Sequence, residues 1–578
     1  MTIKTKKLIN APEDIIPEFI EGLVGAWPDL LTVEGPTGRA VVARQGPRDG
    51  KVGIVIGGGS GHEPAFAGYV GRGLADAAAV GNVFASPSPQ QILDAGRAAD
   101  GGAGVVFLYG NYTGDVLNFT MAAEELAAEG TPVCHVAVTD DIASAPYARR
   151  EERRGVAGDF FVFKCAGAAA DRGEPLERVE ALTRLANENC RSMGVALGPC
   201  SLPQTGTPNF EIGPEDMEIG MGIHGEPGMR RAPLASADTV ADILMEPILA
   251  ELGLGEGDRV AVLVNGLGAT TQLELFLLFR RVRRVLEEKR IEIHARWVGE
   301  YATSLEMAGA SVTLLKLDET LACLLDHPCR TPALTVGAEQ APPVGATRSA
   351  RQVRTTKASV AQDRACLVAT GSITPDDFRA MMASIAKAIR QNREWLSQLD
   401  GVIGDGDHGI TMDIGWTAVT AALSDLTPDA TISEVCNVMA QAFLSAVGAS
   451  SGPLYAGAFQ SAGAAVSNRL NLDGPSLAAW IQGMSNGILA RGGAKPGDKT
   501  MLDAWVPAAE AAVAVADAGA DETSVLKAAT EAARTGMEHT AELESRRGRS
   551  AKLGARSLGH VDPGAASAAI LLASMLEV

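Results

Sequence analysis

The residues best placed to do chemistry lie in the stretch DGVIGDGDHG, Asp400–Gly409. Asp400, Asp405 and Asp407 fall within eight residues, spaced by Gly401, Gly404 and Gly406 and followed by Gly409. Such glycines let a loop curl tightly enough to aim all three carboxylates inward. Short, anionic, all-oxygen side chains are what Mg²⁺ prefers, and a few carboxylates with positions left open suit a metal–nucleotide better than a closed structural cage. An EF-hand is excluded, because the alternating Asp/Asn ligands and the distal Glu are missing. Asp and Gly also build acidic, solvated turns, so these ten residues alone leave both readings open.

Other candidates carry chemistry of a different kind. GGGSGHE, Gly57–Glu63, follows an apolar run and exposes backbone N–H groups to a phosphate or a small polyol. It is not a Walker A loop, since no Gly-Lys-Ser/Thr follows, and His62 stands where a dinucleotide fingerprint needs a third glycine. MEIGMGIHGEPG, Met217–Gly228, sets His224 among small residues with Glu218 and Glu226 nearby, and a neutral imidazole is a usable nucleophile toward a carbonyl. A lone His is more often a hydrogen-bonded structural residue. GNYTGD, Gly110–Asp115, adds a carboxylate in a turn. Further on, ASSGPLY (Ala449–Tyr455), GDKTMLDA (Gly497–Ala504) and GRSAKLGARSLGHVDPG (Gly548–Gly564) are rich in hydroxyls, glycines and arginines, as a nucleotide bound across the mouth of a helical bundle requires.

Two kinds of element must position these groups. From Lys51 the text runs KVGIVIGGGSGHEPAFAGYVGRG, read as strand, glycine loop and helix. Val105–Asp115, Thr131–Val138, Gly158–Ala170 and Asp258–Gly268 repeat that rhythm, with helical periods such as Leu273–Glu288 between them. This pattern predicts an α/β domain with a mixed or parallel sheet, with ligands at the carboxyl ends of its strands. Residues 334–364 are rich in proline, small and polar residues and read as a linker between a domain at 1–333 and one at 365–578. The latter is alanine-rich and strongly helical, which predicts an all-α bundle or barrel whose opening inter-helix loop carries the aspartates.

Bulk properties narrow the partners. The 578 residues suggest two to four domains, and 70 acidic against 50 basic residues leave a net charge of −20. So acidic a chain argues against a nucleic-acid or anionic-membrane surface. The eight cysteines are scattered without a C-x-x-C pair, and no apolar stretch is long enough to span a bilayer. Reduced thiols in a cytoplasm are the expectation.

The glycine stretch from Gly57, NYTGD with VLNF, RRGVAGD, MEIGMGIHGEPG, GDGDHG, SSGPLY, GDKTMLDA and RSLGHVDPGAAS, taken in order, resemble a dihydroxyacetone kinase of the fused, ATP-dependent type over nearly the whole chain. The resemblance implies an N-terminal substrate domain, a C-terminal nucleotide domain, and a homodimer in which one subunit's nucleotide domain meets the other's substrate domain. It implies that Gly59, Ser60, Gly61 and His62 contact the sugar, that Asp115 binds its hydroxyls with His62 as the acid/base pair, and that His224 holds the ketone as a hemiaminal. It places Mg²⁺ on Asp400, Asp405 and Asp407, and ATP on His408, Gly409, Ile410, Thr411, Ser450, Ser451, Gly492, Met501, Arg549, Asp562, Pro563 and Gly564. The alternatives it leaves are a lyase forming cyclic FMN from FAD and a non-catalytic lipid or small-molecule carrier.

One departure matters. Dihydroxyacetone kinases usually read Lys-Asn-Tyr-Thr-Gly-Asp, whereas this chain has Gly110 before NYTGD. A cationic donor and a lysine-sized volume are gone, so the expected substrate is a four-carbon ketose such as erythrulose, or a branched one such as apulose. Ser550–Lys552 also departs from the family, where an aromatic is usual.

Overall fold

Short runs of valine, isoleucine and alanine build the strands of the first of two units, Met1–Ser349 and Ala350–Val578. The computed structural model describes residues 5–337, 367–404, 406–427 and 429–578, without the side chains of Arg549 and Lys552. The metal candidate Asp405 and most of the expected linker, from 338 on, therefore lie outside the described residues.

After helix α1 (Ile15–Ala26) come β1 (Leu31–Glu34), β2 (Ala40–Ala43), β3 (Gly53–Ser60), β4 (Ala77–Val83), β5 (Val105–Gly110) and β6 (Val133–Val138), which form a six-stranded sheet in the order β1-β2-β4-β3-β5-β6. β3 runs parallel to both β4 and β5, and β5 to β6, while the β1–β2 and β2–β4 pairs are antiparallel. β3 and β5 are buried along their whole length, so they read as continuous rather than alternating apolar runs. Helices α2 (Pro89–Ala99) and α3 (Thr113–Ala128) cover one face through Leu93 and Phe119 against Val55 and Phe107. The other face, with Ile54 and Leu108, enters the largest core together with α4 (Asp159–Asp171) and α5 (Leu176–Glu188).

A second sheet has the order β11-β10-β12-β7-β8-β9, from β7 (Cys190–Ala196), β8 (Asp216–Ile219), β9 (Arg230–Pro233), β10 (Arg259–Gly266), β11 (Glu292–Gly299) and β12 (Gly309–Leu317). Its Ala261–Leu263 face joins the core around α4, and its Val260–Val262 face is covered by α6 (Ala237–Leu252) and α7 (Gln272–Glu288). Helix α8 (Glu319–Leu325) and a small antiparallel pair, β13 (Cys329–Arg330) with β14 (Thr335–Val336), follow. Leu334 is buried, so ordered structure of this unit continues past residue 333.

Two segments differ from the sequence expectation. Gly57–Gly59 do not leave the strand as a loop but form the end of β3, and the expected helix after them is one short 3-10 turn, Ala67–Tyr69. The glycines serve close approach: a Cβ on Gly58 would overlap the Phe66 ring, and one on Gly59 would sit 2.7 Å from the Ala85 nitrogen. Gly158–Ala170, read as strand-like, is the N-terminal approach and body of α4, buried from Asp159 to Ala170. A helix sealed on every side has no amphipathic period, so its pattern mimics a buried strand.

The second unit is mostly helical: α9 (Pro375–Gln391), α10 (Arg393–Ile403), α11 (His408–Ser424), α12 (Ile432–Ala446), α13 (Ser451–Ala465), α14 (Gly474–Gly492), α15 (Leu502–Asp517), α16 (Glu522–His539) and α17 (Pro563–Met575). From α11 on each helix packs on the next, and α17 and α11 both pack on α9 around one core containing Trp416, Trp480 and Trp505. Asp400 belongs to the last turn of α10 rather than to the inter-helix loop, which holds Asp407. Among the described residues no helix is long and apolar enough to cross a membrane.

Candidate active site

Two histidines 162 residues apart in sequence meet at the carboxyl end of β3. The chain beyond β3 is stitched to the loop between β11 and β12. Leu305 N donates to Gly61 O at 2.6 Å, Thr303 N to His62 O at 3.2 Å, and Thr303 Oγ1 to Glu63 O at 2.8 Å. Asn265 on β10 fixes that loop, accepting from the Tyr301 and Ala302 nitrogens and donating to Ala302 O. His62 Nδ1 lies 2.8 Å from Thr303 O, and a carbonyl can only accept, so Nδ1 carries a proton. Phe84, at φ 58° just after β4, stacks on the His62 ring with centroids 5.0 Å apart.

His224 comes from the loop between β8 and β9, and its Nε2 is 3.1 Å from His62 Nε2. Glu226 Oε1 sits 3.2 Å from His224 Nδ1, and Glu226 Oε2 accepts the His224 main-chain N–H at 3.0 Å. The rings of Tyr112 and Phe84 stand edge-on to His224, with centroids 4.7 and 5.2 Å away. Both imidazoles are buried. The result is a buried, mostly aromatic cluster in which each histidine's far nitrogen is engaged by protein and the two near nitrogens face each other.

The remaining predicted sugar-binding residues lie at the ends of β3 and β5. Ser60 Oγ donates to Gly81 O at 2.9 Å, and Gly61 N donates to the Glu63 carboxylate at 3.0 Å, so both groups already serve the turn. Asp115 lies in the first turn of α3, beyond β5, the neighbour of β3. Burial, then the charges of Asp140 and Asp115, push the Asp159 carboxyl well above the usual range. The volume expected to be vacant at Gly110 is taken up: a Cβ there would meet Tyr112 Cε2 at 3.1 Å and Gly155 O at 3.2 Å. The aromatic ring that flanks His224 thus lies directly over Gly110.

In the second unit the predicted metal and nucleotide residues gather at helix starts. His408 opens α11, Ser451 opens α13 directly after Ser450, Met501 immediately precedes α15, and Pro563 opens α17 with Asp562 as its N-cap. Unpaired N–H groups and the helix dipole make such ends receptive to anions. Asp400 Oδ2 accepts from Asp407 N at 3.0 Å and His408 N at 3.2 Å. Thr411 and Ile410 follow on α11, and a Cβ on Gly409 would overlap Arg393 O, so α10 and α11 cross closely there. His408 Nε2 pairs with Ser567 Oγ at 3.0 Å, burial holds its pKa down, and it is neutral. A Cβ on Gly564 would lie 3.3 Å from Met501 Cβ, so the starts of α11, α15 and α17 are brought together. Gly492 ends α14 beside Leu454 of α13. Arg549 opens a 3-10 segment, and its side chain is outside the description.

The carboxylates there suit a hard cation. Asp407 is half-buried as a residue, but its Oδ2 is sealed from solvent with no hydrogen-bond partner among the described residues. Burial, then the charge of Asp400, push the Asp407 carboxyl up to about 7. Burial, with Asp400 and Asp503 adding to it, does the same to Asp562. Among the described residues no three His, Cys, Asp or Glu side chains form a ready metal cage. A sealed anionic oxygen among like charges fits Mg²⁺ all the same.

Sequence reasoning noted Glu226 only as a neighbour of His224, and gave no role to Arg154, Asp503 or Lys499. Arg154, buried, donates from Nε to Asp141 Oδ2 at 2.7 Å and holds Nη1 3.9 Å from Glu226 Oε2. Lys499 Nζ lies 2.6–3.2 Å from four carbonyls, of Thr540, Leu543, Ser557 and His560, which share its three N–H groups. Asp503 accepts from Gly497 N and Thr500 N, shaping the turn between them. Their only signal was membership of the motifs RRGVAGD and GDKTMLDA.

Comparison with known proteins covers both units. Residues 21–333 match the Dak1 domain and residues 402–577 the DAK2 domain. The chain is 40% identical over 578 residues to an L-erythrulose 1-kinase of Mycolicibacterium smegmatis, covering 99% of each. It is 38% identical to an L-erythrulose kinase of Pectobacterium atrosepticum, covering 99% of this chain and 96% of that one. Among solved structures, the dihydroxyacetone kinase from C. freundii in complex with AMP-PNP and Mg²⁺ aligns over 99% of both chains, with a TM-score of 0.53 and 30% identity. The chain therefore belongs to the dihydroxyacetone kinase family, in the form that carries a Dak1 and a DAK2 domain on one polypeptide.

Proposed function

We propose that this protein is an ATP-dependent kinase that phosphorylates the terminal hydroxyl of a small ketose held as a hemiaminal on His224. The observation that carries this reading is the buried His62–His224 contact, with Nε2 atoms 3.1 Å apart and Glu226 on the far nitrogen of His224. A neutral imidazole adds to a ketone, and glycerol, which has no carbonyl, is rejected by reactivity rather than by shape. His62 and Asp115 serve as the acid/base pair for the sugar's hydroxyls, and Gly59, Ser60 and Gly61 shape the wall beside them.

Residues 365–578 supply the nucleotide site, residues 1–333 the ketose site, and a homodimer joins one subunit's nucleotide site to the other's ketose site. Asp400, Asp405 and Asp407 would hold Mg²⁺, which when bound neutralises charge on the ATP phosphates. His408–Thr411, Ser450, Ser451, Gly492, Met501, Arg549 and Asp562–Gly564 hold and orient the nucleotide, with helix-start N–H groups meeting its phosphates.

The relatives named as erythrulose kinases support a four-carbon ketose. Gly110 supports the same choice through the missing ammonium rather than through an open gap, because Tyr112 covers its Cα. One extra carbon's contacts are worth about 1–3 kcal/mol, roughly 10–200-fold in specificity constant. Measuring kcat/KM for dihydroxyacetone, D- and L-erythrulose and apulose tests this, with a four-carbon or branched ketose expected to lead. Dihydroxyacetone winning by about tenfold, with the ranking unchanged in Gly110→Lys, would refute the substrate assignment. Absence of ATP-dependent transfer to every ketose by the purified chain would refute the kinase.

A further inference from the structure

The four hydrogen bonds that link Thr303, His62, His224 and Glu226 do not close with two neutral rings. Thr303 O requires a proton on His62 Nδ1. Glu226 already accepts the His224 main-chain N–H with Oε2, and the Arg154 guanidinium 3.9 Å from that oxygen favours the ionised carboxylate. Oε1 then accepts from His224 Nδ1, which carries the second proton. The two Nε2 atoms, 3.1 Å apart, need a third proton between them. Two imidazoles with three protons carry one positive charge, and the buried Glu226 carboxylate balances it.

From this count we infer that Glu226, held by Arg154, is a positioning residue that sets His224 as a nucleophile and compensates the cation formed when His224 bonds to the ketone. The inference rests on the reading of His224 as the covalent anchor. Before substrate enters, the third proton sits on His62 Nε2 and points at the lone pair of His224 Nε2. The ketone displaces that contact. His224 Nε2 forms a bond to the carbonyl carbon, the C=O π pair moves to oxygen, and the His62 Nε2 proton passes to that oxygen, giving the hemiaminal hydroxyl. Three protons and one positive charge are conserved. The charge now lies on the alkylated His224 ring, against Glu226, and His62 is left neutral, with its Nε2 able to accept the proton of the hydroxyl that will be phosphorylated.

The local backbone agrees with this role. A Cβ on Gly222 would overlap both Glu226 Oε2 and Arg154 Nη1, so the glycine leaves room for the carboxylate and guanidinium. Arg154 cannot retreat, since Asp141 and the Gly220 carbonyl hold its other nitrogens. Asn209 Nδ2 donates to His224 O at 3.0 Å and fixes the loop on its other side.

Glu226→Gln is the test, because it keeps size and removes one acceptor. A carboxylate accepts both the main-chain N–H and Nδ1–H, whereas an amide accepts only one. With Arg154 favouring the amide oxygen on the main-chain side, the NH₂ group faces Nδ1 and His224 switches to its Nε2–H tautomer. The expected result, read by ¹⁵N spectra of histidine-labelled protein, is Nδ1–H in the wild type and Nε2–H in the variant. With [2-¹³C]erythrulose, the carbonyl carbon should convert to a hemiaminal carbon in the wild type and fall roughly 10–100-fold in population in the variant. Gly222→Ala, which displaces the carboxylate without altering Glu226 or His224, should shift both signals the same way. Wild-type adduct with Glu226→Gln retaining both the tautomer and the adduct overturns the inference alone. Turnover by the wild type with no adduct carbon overturns the covalent reading and this inference with it.

Discussion

Replacing Asp407 by Asn should make the metal-free protein more stable and the enzyme inactive. The Asp407 carboxyl is pushed up to about 7 by burial and by Asp400, against about 3.9 in an unfolded chain. Between those values the folded state binds more protons than the unfolded state, so without metal this group's effect is to lower stability as pH rises from about 4 to 7, with no further loss above. A shift of about three units corresponds to roughly 4 kcal/mol against folding at pH 8. Asn carries no charge and removes most of that term, so the variant should gain about 2–4 kcal/mol in chelator at pH 8 and almost nothing at pH 4. For a helical unit of this size that is about 4–16 °C in Tm. Adding Mg²⁺ should reverse the order, raising the wild-type Tm and leaving the variant where it was, while ketose phosphorylation falls by the several kcal/mol that a metal clamp supplies. Scanning calorimetry at both pH values, with chelator and with Mg²⁺, measures all of this. A variant no more stable than wild type at pH 8 in chelator would show that the carboxyl is not held ionised at a cost. Near-wild-type turnover would remove Asp407 from the metal site.

Lys499→Met should leave four main-chain carbonyls without their shared donor, cost about 3–5 kcal/mol, and speed hydrogen exchange across Thr540–His560. Unchanged exchange in that segment would mean the ammonium is not its clasp. Asp159, whose carboxyl is pushed well above the usual range by burial and by the charges of Asp140 and Asp115, should tolerate Asn with a Tm at pH 7 equal to or above wild type. A loss of several degrees there would show that Asp159 is ionised and paired.

The candidate site's residues could be singled out from residue types, while their roles came from the family resemblance. The aspartates and glycines of Asp400–Gly409, the single histidines at 62 and 224, and the turn ending in Asp115 stand out because catalysis and metal binding restrict residue choice more tightly than packing does. The helical second unit was legible as a class, since alanine-rich periodic text has few other solutions. The starts of α11, α13 and α15 were not, because their glycines, serines and prolines look like connections until neighbouring helices pack on them.

What the sequence by itself determined was the inventory of reactive groups and the two fold classes that carry them. Tertiary structure alone decided which groups meet. His62 and His224 face each other because a loop from the second sheet, through Thr303 and Leu305, is hydrogen-bonded to the end of β3 in the first. The proton count inferred for the two histidines depends on Thr303 O, Glu226 and Arg154, and distances between residues far apart in the chain are set by packing, which no local pattern encodes. The same reason explains α4: a run of phenylalanine and alanine becomes a helix rather than a strand only because helices, strands and aromatic rings close around every side of it.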